Sequence, residues 1–91
     1  MIVTEANRQG KYAVDVSNHI DRYRFRSKDV TYSLASDLAE NLTMTFRHLF
    51  RKAKVQEGNV HPKPGDIEIS VVNINANGHE KTVRHIIICE E

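Results

Sequence analysis

The chain is short and almost neutral. It has 91 residues, of which 40% are hydrophobic and 27% charged, and its formal net charge is +1. This balance is typical of a globular protein and excludes a chain that is disordered throughout. The near-neutral total also gives no bulk attraction to a polyanion. The length predicts a single domain that covers residues 1–91.

Cysteine use and hydropathy indicate the compartment. Cys89 is the single cysteine, so no internal disulfide can form. A small secreted domain usually carries several disulfides, and the polar N-terminal region does not resemble a signal peptide. No apolar run approaches the roughly 18 residues that a membrane span needs. We therefore predict a cytoplasmic protein without a membrane segment.

The first third of the chain predicts strands. Residues 1–6 have strand-like composition, the next four supply a turn, and residues 11–17 alternate between apolar and polar side chains. This pattern predicts a hairpin over residues 1–17. Residues 19–26 alternate as well, with Tyr23 and Phe25 on one face and arginines on the other. They form either a third strand or a continuation of the second strand past a bulge.

The middle of the chain predicts one long amphipathic helix, at about residues 30–55. Apolar side chains recur there at intervals of three and four residues, which places them on one helix face. Ser27, Asp29 or Thr31 could supply the N-cap oxygen. The apolar face consists of Leu34, Ala35, Leu38, Ala39, Leu42, Phe46, Leu49, Phe50 and Ala53.

The last part of the chain predicts a second hairpin, over residues 66–89. Pro62 and Pro64 indicate a loop before it, and Asn77-Gly78 is a strong signal for its turn. Apolar residues at 72–74 and 86–88 fall on both strand faces, so either a bulge or a sheet covered on both sides is expected. The whole pattern predicts an α+β fold, in which an antiparallel sheet of four or five strands is covered on one face by the helix.

Two basic segments stand out from the near-neutral total. Residues 19–29 carry a net charge of +2, and residues 47–54 carry +4 without any acid. Cations of this kind bind phosphates with salt-dependent affinity. They make nucleic acid a possible partner, and the two groups could merge into one patch. The candidate nucleic-acid-binding residues are Arg22, Arg24, Arg26, Arg47, Arg51 and Lys54.

Catalytic and metal-binding patterns are weak. The five histidines form no close pair, and a structural zinc site needs about four Cys or His ligands. Cys89 and His85 lie four residues apart on a predicted strand, roughly 13 Å at strand rise, too far for a nucleophile and its base. We therefore predict no metal, no cofactor and no enzymatic activity.

Apolar residues without an obvious place in the monomer predict protein contacts. Met44 falls on the polar face of the predicted helix, and methionine is adaptable at binding surfaces. The two-faced run at 86–88 indicates a second apolar patch for another chain. We predict a non-catalytic binding or regulatory protein that acts through protein–protein contacts and forms a homodimer. The candidate contact residues are Met44, Ile74, Ile86 and Ile88.

Overall fold

One helix packs on one face of a five-stranded antiparallel sheet, which confirms the predicted α+β fold. The computed structural model describes residues 11–18, 23–74 and 78–90. The strand order is β2-β1-β4-β5-β3. The elements are β1 (Tyr12–Asn18), β2 (Tyr23–Arg26), α1 (Tyr32–Arg47), β3 (Ala53–Glu57), β4 (Ile67–Ile74) and β5 (Glu80–Glu90).

The first predicted hairpin is only partly open to comparison. Its second strand corresponds to β1, while the predicted strand at residues 1–6 lies outside the described residues. β1 bonds to β4 on one edge, and to β2 and a bridge at Val30 on the other. Of the two alternatives for residues 19–26, residues 23–26 form the separate strand, because β2 pairs antiparallel with β1, and residues 19–22 lie outside the described residues.

The helix is shorter than the predicted span of about residues 30–55. Its 16 residues begin after Thr31, whose hydroxyl accepts a hydrogen bond from the backbone N–H of Leu34 at 3.3 Å. At 1.5 Å per residue this gives a helix about 24 Å long. Of the three N-cap residues that the sequence allowed, Thr31 is therefore the one used.

The early end of the helix has a local and a tertiary cause. Thr43 and Thr45 donate their hydroxyls to backbone carbonyls four residues earlier, which weakens a helix near these positions. After them, the N–H groups of His48 and Leu49 bond to carbonyls three residues back, as in a tightened last turn. Residues 53–57 then pair with β5 as β3, so sheet pairing outcompetes the helical pattern there.

The core lies between α1 and the centre of the sheet. Ala35 and Ala39 are fully buried on the helix, and their small side chains let it approach the strands closely. Tyr12 and Tyr32 make an edge-to-face contact with ring centroids 5.2 Å apart. The buried sheet residues of this core are Tyr12, Val14, Val16, Ile67, Ile69, Val71, Ile86 and Ile88.

The second hairpin contains a β-bulge, one of the two arrangements predicted for it. Val71 pairs with Arg84 and Val72 pairs with Thr82, so Val83 is the extra residue. Gly78 has a φ of 80°, which glycine adopts readily, while Asn77 of the predicted turn lies outside the described residues. Side chains alternate across the sheet, so Ala13, Val72 and Ile87 point away from the helix, yet all three are buried within the single chain.

Candidate interaction surface

One of the three predicted strand arginines, Arg26, is bound to acidic partners in the same chain. Arg26 donates from Nε and Nη2 to Asp15 at 2.7 and 2.8 Å, and from Nη1 and Nη2 to Glu80 at 2.9 and 2.6 Å. The hydrogen bonds to Asp15 are the main reason that the pKa of Arg26 is raised far above its ordinary value, and those to Glu80 add to the effect. The same contact lowers the pKa of Glu80. Arg24 is exposed beside this cluster, and Arg22 lies outside the described residues.

Arg84 forms a second internal cluster that the sequence did not indicate. Its guanidinium lies 3.1 Å from Glu57 on β3 and 3.4 Å from Glu40 on α1. It also donates to the hydroxyl of Ser36 at 2.9 Å. The hydrogen bonds to Glu57 are the main reason that the pKa of Arg84 is raised. Arg84 thus links the helix to one edge of the sheet.

A third polar cluster crosses the sheet face that points away from the helix. Ser17 donates its hydroxyl to Glu68 at 3.1 Å, and the other carboxylate oxygen of Glu68 contacts Nε2 of His85. The second ring nitrogen of His85 lies 2.8 Å from the carbonyl of Gly58. In a hydrolytic triad the histidine stands between hydroxyl and acid. Here the acid stands between them, so the order is not that of a triad, and the cluster links β1, β4 and β5 across this sheet face.

The segment after the helix creates a different kind of surface. The chain turns at His48 and returns through Phe50 to Ala53, which packs against the core. This turn leaves an open cavity of about 540 Å³ at the C-terminal end of the helix. We call it the helix-end surface and define it by its lining residues, Met44, Arg47, His48, Phe50, Arg51 and Ala53.

The helix-end surface combines free cations with exposed apolar atoms. Neither Arg47 nor Arg51 has an ion-pair partner among the residues that the structure describes. Met44 is 62% exposed, and the neighbouring Leu49 is 66% exposed. Phe50 and Ala53 are half-buried and form the apolar floor. Here one of the predicted protein-contact residues, Met44, lies beside two of the predicted basic residues, Arg47 and Arg51.

The two groups of predicted basic residues lie far apart and do not form the single patch that the sequence allowed. β2 and β3 are opposite edges of the sheet, about 19 Å apart at ordinary strand spacing. Lys54 lies on β3, not on a helix stripe with Arg47 and Arg51. Because Ala53 faces the core, alternation turns Lys54 to the opposite face of the sheet. The arginines of β2 therefore form no single patch with those of the helix-end surface.

Most of the predicted apolar contact patch is interior. Ile86 and Ile88 are 2% and 0% exposed and pack under the helix. Ile87, on the other face, is 1% exposed in the single chain. Ile74 is half-buried and pairs with Glu80. Ile86 and Ile88 are thus core residues in the folded monomer, and we drop them from the contact surface, because the helix covers the face on which they lie.

The described residues also bear on metal binding, on the single thiol and on membrane insertion. Across residues 11–18, 23–74 and 78–90, no group of three or more His, Cys, Asp and Glu side chains could hold a metal ion. The thiol of Cys89 contacts the carbonyl of Lys54 at 3.7 Å. No helix among the described residues is long and apolar enough to span a membrane.

No protein-family model, curated protein or solved structure matches the chain significantly.

Proposed function

We propose that this chain is a non-catalytic binding protein that acts through protein–protein contacts, and that the helix-end surface is where a partner protein docks. The observation that carries the proposal is that exposed Met44 shares one cavity with Arg47 and Arg51, which have no ion-pair partner among the described residues. Interface centres are enriched in methionine, arginine and aromatic residues, and Phe50 supplies the aromatic member.

The alternative function is that of a nucleic-acid-binding accessory protein. Unpaired Arg47 and Arg51 favour it, because counterion release at such cations supplies most non-specific affinity for nucleic acid. Two observations weaken it. Arg26 is neutralised by Asp15 and Glu80, and β2 lies at the far edge from the helix-end surface. Phosphate contacts would also leave Met44 and Leu49 without a role.

Self-association is still a prediction, and the structure supports it less than the sequence pattern does. Ile86, Ile87 and Ile88 are buried within one chain, so the apolar run that motivated a homodimer is already covered. A second copy could still occupy the helix-end surface. Such a dimer would be one form of the proposed protein–protein contact, and its residues would be those of the helix-end surface.

A photo-crosslinking amino acid at position 44 tests the proposal. The full chain carries the crosslinker in place of Met44 or, as a control, in place of exposed Thr82 on the far hairpin. We expect a protein that crosslinks from position 44 and not from position 82. That protein is then purified and its affinity measured for the unmodified chain and for Met44→Asp, which should bind it more weakly.

Two results would overturn the proposed function. One is equal crosslinking from positions 44 and 82, with an affinity that Met44→Asp leaves unchanged. The other is an adduct at position 44 that consists of nucleic acid, which would establish the alternative function. An adduct with a second copy of the chain would support the protein–protein function and identify the partner as the chain itself.

A further inference from the structure

The charges around the helix-end surface point to the chemistry of its partner. The surface contains Arg47 and Arg51, and the segment 47–54, which supplies most of its residues, contains no acid. By contrast, Arg26 and Arg84 each bind two carboxylates within the chain. Arg47 and Arg51 have no ion-pair partner among the described residues, so they leave a local positive charge beside the cavity.

Two features of the fold act against this positive charge, and neither cancels it. The helix C-terminus contributes about half a negative elementary charge, smaller than the two formal charges of Arg47 and Arg51. Glu90 on β5 pairs with Ala53, which lines the helix-end surface, so Glu90 is an acidic neighbour of this surface. Glu90 nevertheless forms no ion pair among the residues that the structure describes.

The apolar members of the surface restrict the partner further. Met44, Phe50 and Ala53 line the same cavity as the arginines. A ligand that offers only anionic groups would pair with the arginines and leave this apolar lining in water. An apolar side chain that enters the cavity would remove it from water, which is favourable in proportion to the area buried. Methionine can adjust its three rotatable bonds to such a side chain.

Resting on the proposed function, we infer that the partner is an acidic protein segment with an apolar side chain among its carboxylates. Its carboxylates bind Arg47 and Arg51, which can hold them in bidentate fashion. Its apolar side chain enters the cavity between Met44 and Phe50. Charge complementarity selects this occupant over a neutral apolar peptide, and the apolar lining selects it over a simple polyanion.

Fluorescence anisotropy with defined probes tests this inference. The main probe is a short synthetic peptide in which Glu and Leu alternate. Two comparison peptides change one property each, with Gln in place of Glu or Ser in place of Leu. A third comparison probe is single-stranded oligothymidylate, a polyanion of a different class. We expect the Glu–Leu peptide to bind at least about tenfold more tightly than each comparison probe at low salt, and to weaken at high salt.

Matched charge reversals locate the binding. The variant Arg47→Glu with Arg51→Glu should weaken binding of the Glu–Leu peptide by about tenfold or more. The control, Lys63→Glu with Lys81→Glu, changes the net charge by the same amount at exposed positions elsewhere and should change affinity less than about twofold. The variant Glu90→Gln removes the neighbouring acid and should bind the peptide more tightly than the unmodified chain.

The outcomes separate this inference from the proposed function. Equal binding of the Glu–Leu and Gln–Leu peptides, or an equal loss of affinity in both charge-reversal variants, would overturn the inference of an acidic partner. The proposed function would still stand or fall by the crosslinking from position 44. Equal or tighter binding of oligothymidylate, weakened by the Arg47 and Arg51 reversals, would overturn it in favour of nucleic acid. If the charge reversals prevent folding, the comparison of the four probes on the unmodified chain still tests whether the partner is an acidic segment with an apolar side chain.

Discussion

Two arginines on the sheet differ from two arginines at the end of the helix in whether the chain supplies a counter-ion. On the sheet, Arg26 and Arg84 each contact two carboxylates that come from distant parts of the chain. At the helix-end surface, Arg47 and Arg51 face a cavity without a counter-ion among the described residues. Charges that are paired within the fold either stabilise it or leave its stability unchanged. Charges without an internal partner, beside exposed apolar atoms, are available to a partner protein.

The largest expected effect distinguishes core from contact residues. We predict that Ile88→Ala lowers the free energy of unfolding by about 2–5 kcal/mol, because it opens a cavity under the helix. Urea denaturation checks this value. Leu49→Ala, at a position 66% exposed, is the control and should change it by less than about 0.5 kcal/mol. Equal effects of the two substitutions would contradict the placement of Ile88 in the core.

The next effect concerns the polar cluster on the sheet face opposite the helix. We predict that Glu68→Ala lowers the free energy of unfolding by about 1–3 kcal/mol, since Ser17 and His85 each lose a half-buried partner. Ser70→Ala is the control, because Ser70 lies opposite His85 in the strand register. A Glu68→Ala protein as stable as the Ser70→Ala protein would show that this cluster does not brace the sheet.

A smaller effect depends on pH at Arg26 and Glu80. The hydrogen bond from Arg26 lowers the pKa of Glu80, so this contact stabilises the fold above the ordinary pKa of glutamate. The contribution is lost as the pH falls through the lowered pKa of Glu80. We predict that the stability difference between the unmodified chain and Arg26→Gln shrinks over that range. Side-chain carboxyl NMR should show the pKa of Glu80 rise in Arg26→Gln, and an unchanged pKa would count against the contact.

The smallest effect on stability is expected at the helix-end surface. Arg51 lies beyond the helix, is exposed and has no ion-pair partner in the described part of the chain. We predict that Arg51→Gln changes the free energy of unfolding by less than about 0.5 kcal/mol in thermal or urea denaturation. A loss above about 1 kcal/mol would mean that Arg51 supports the fold and is not a free surface charge.

Local sequence patterns predicted much of the fold. Alternation at 11–17 and 66–71 corresponds to β1 and β4, and the spacing of Ala35, Leu38, Ala39 and Leu42 identifies the core face of α1. The same spacing continues through Leu49, Phe50 and Ala53, and this misled the prediction. The choice between one more helical turn and a strand depends on pairing with β5, which lies some 35 residues later.

The candidate site was predictable only in part, for a similar reason. Composition singled out Met44, Arg47 and Arg51, but it could not show that Arg26 meets Glu80 across 54 positions. It also could not assign Ile86 and Ile88 to the helix side, because a run that is apolar on both faces has no sequence signal for its register. Phe50 and Ala53 reach the site because the chain turns after Arg47. The predicted helix continued past this position, so the sequence did not indicate the turn.

A crossed measurement on two single variants tests the central claim most directly. The free energy of unfolding and the affinity for the Glu–Leu peptide are determined for Arg26→Gln and for Arg51→Gln. We predict that Arg26→Gln loses up to about 1 kcal/mol of stability and keeps its affinity, whereas Arg51→Gln keeps its stability and loses affinity. The reverse pattern, or equal losses in both variants, would contradict the division between paired charges on the sheet and free charges at the helix end.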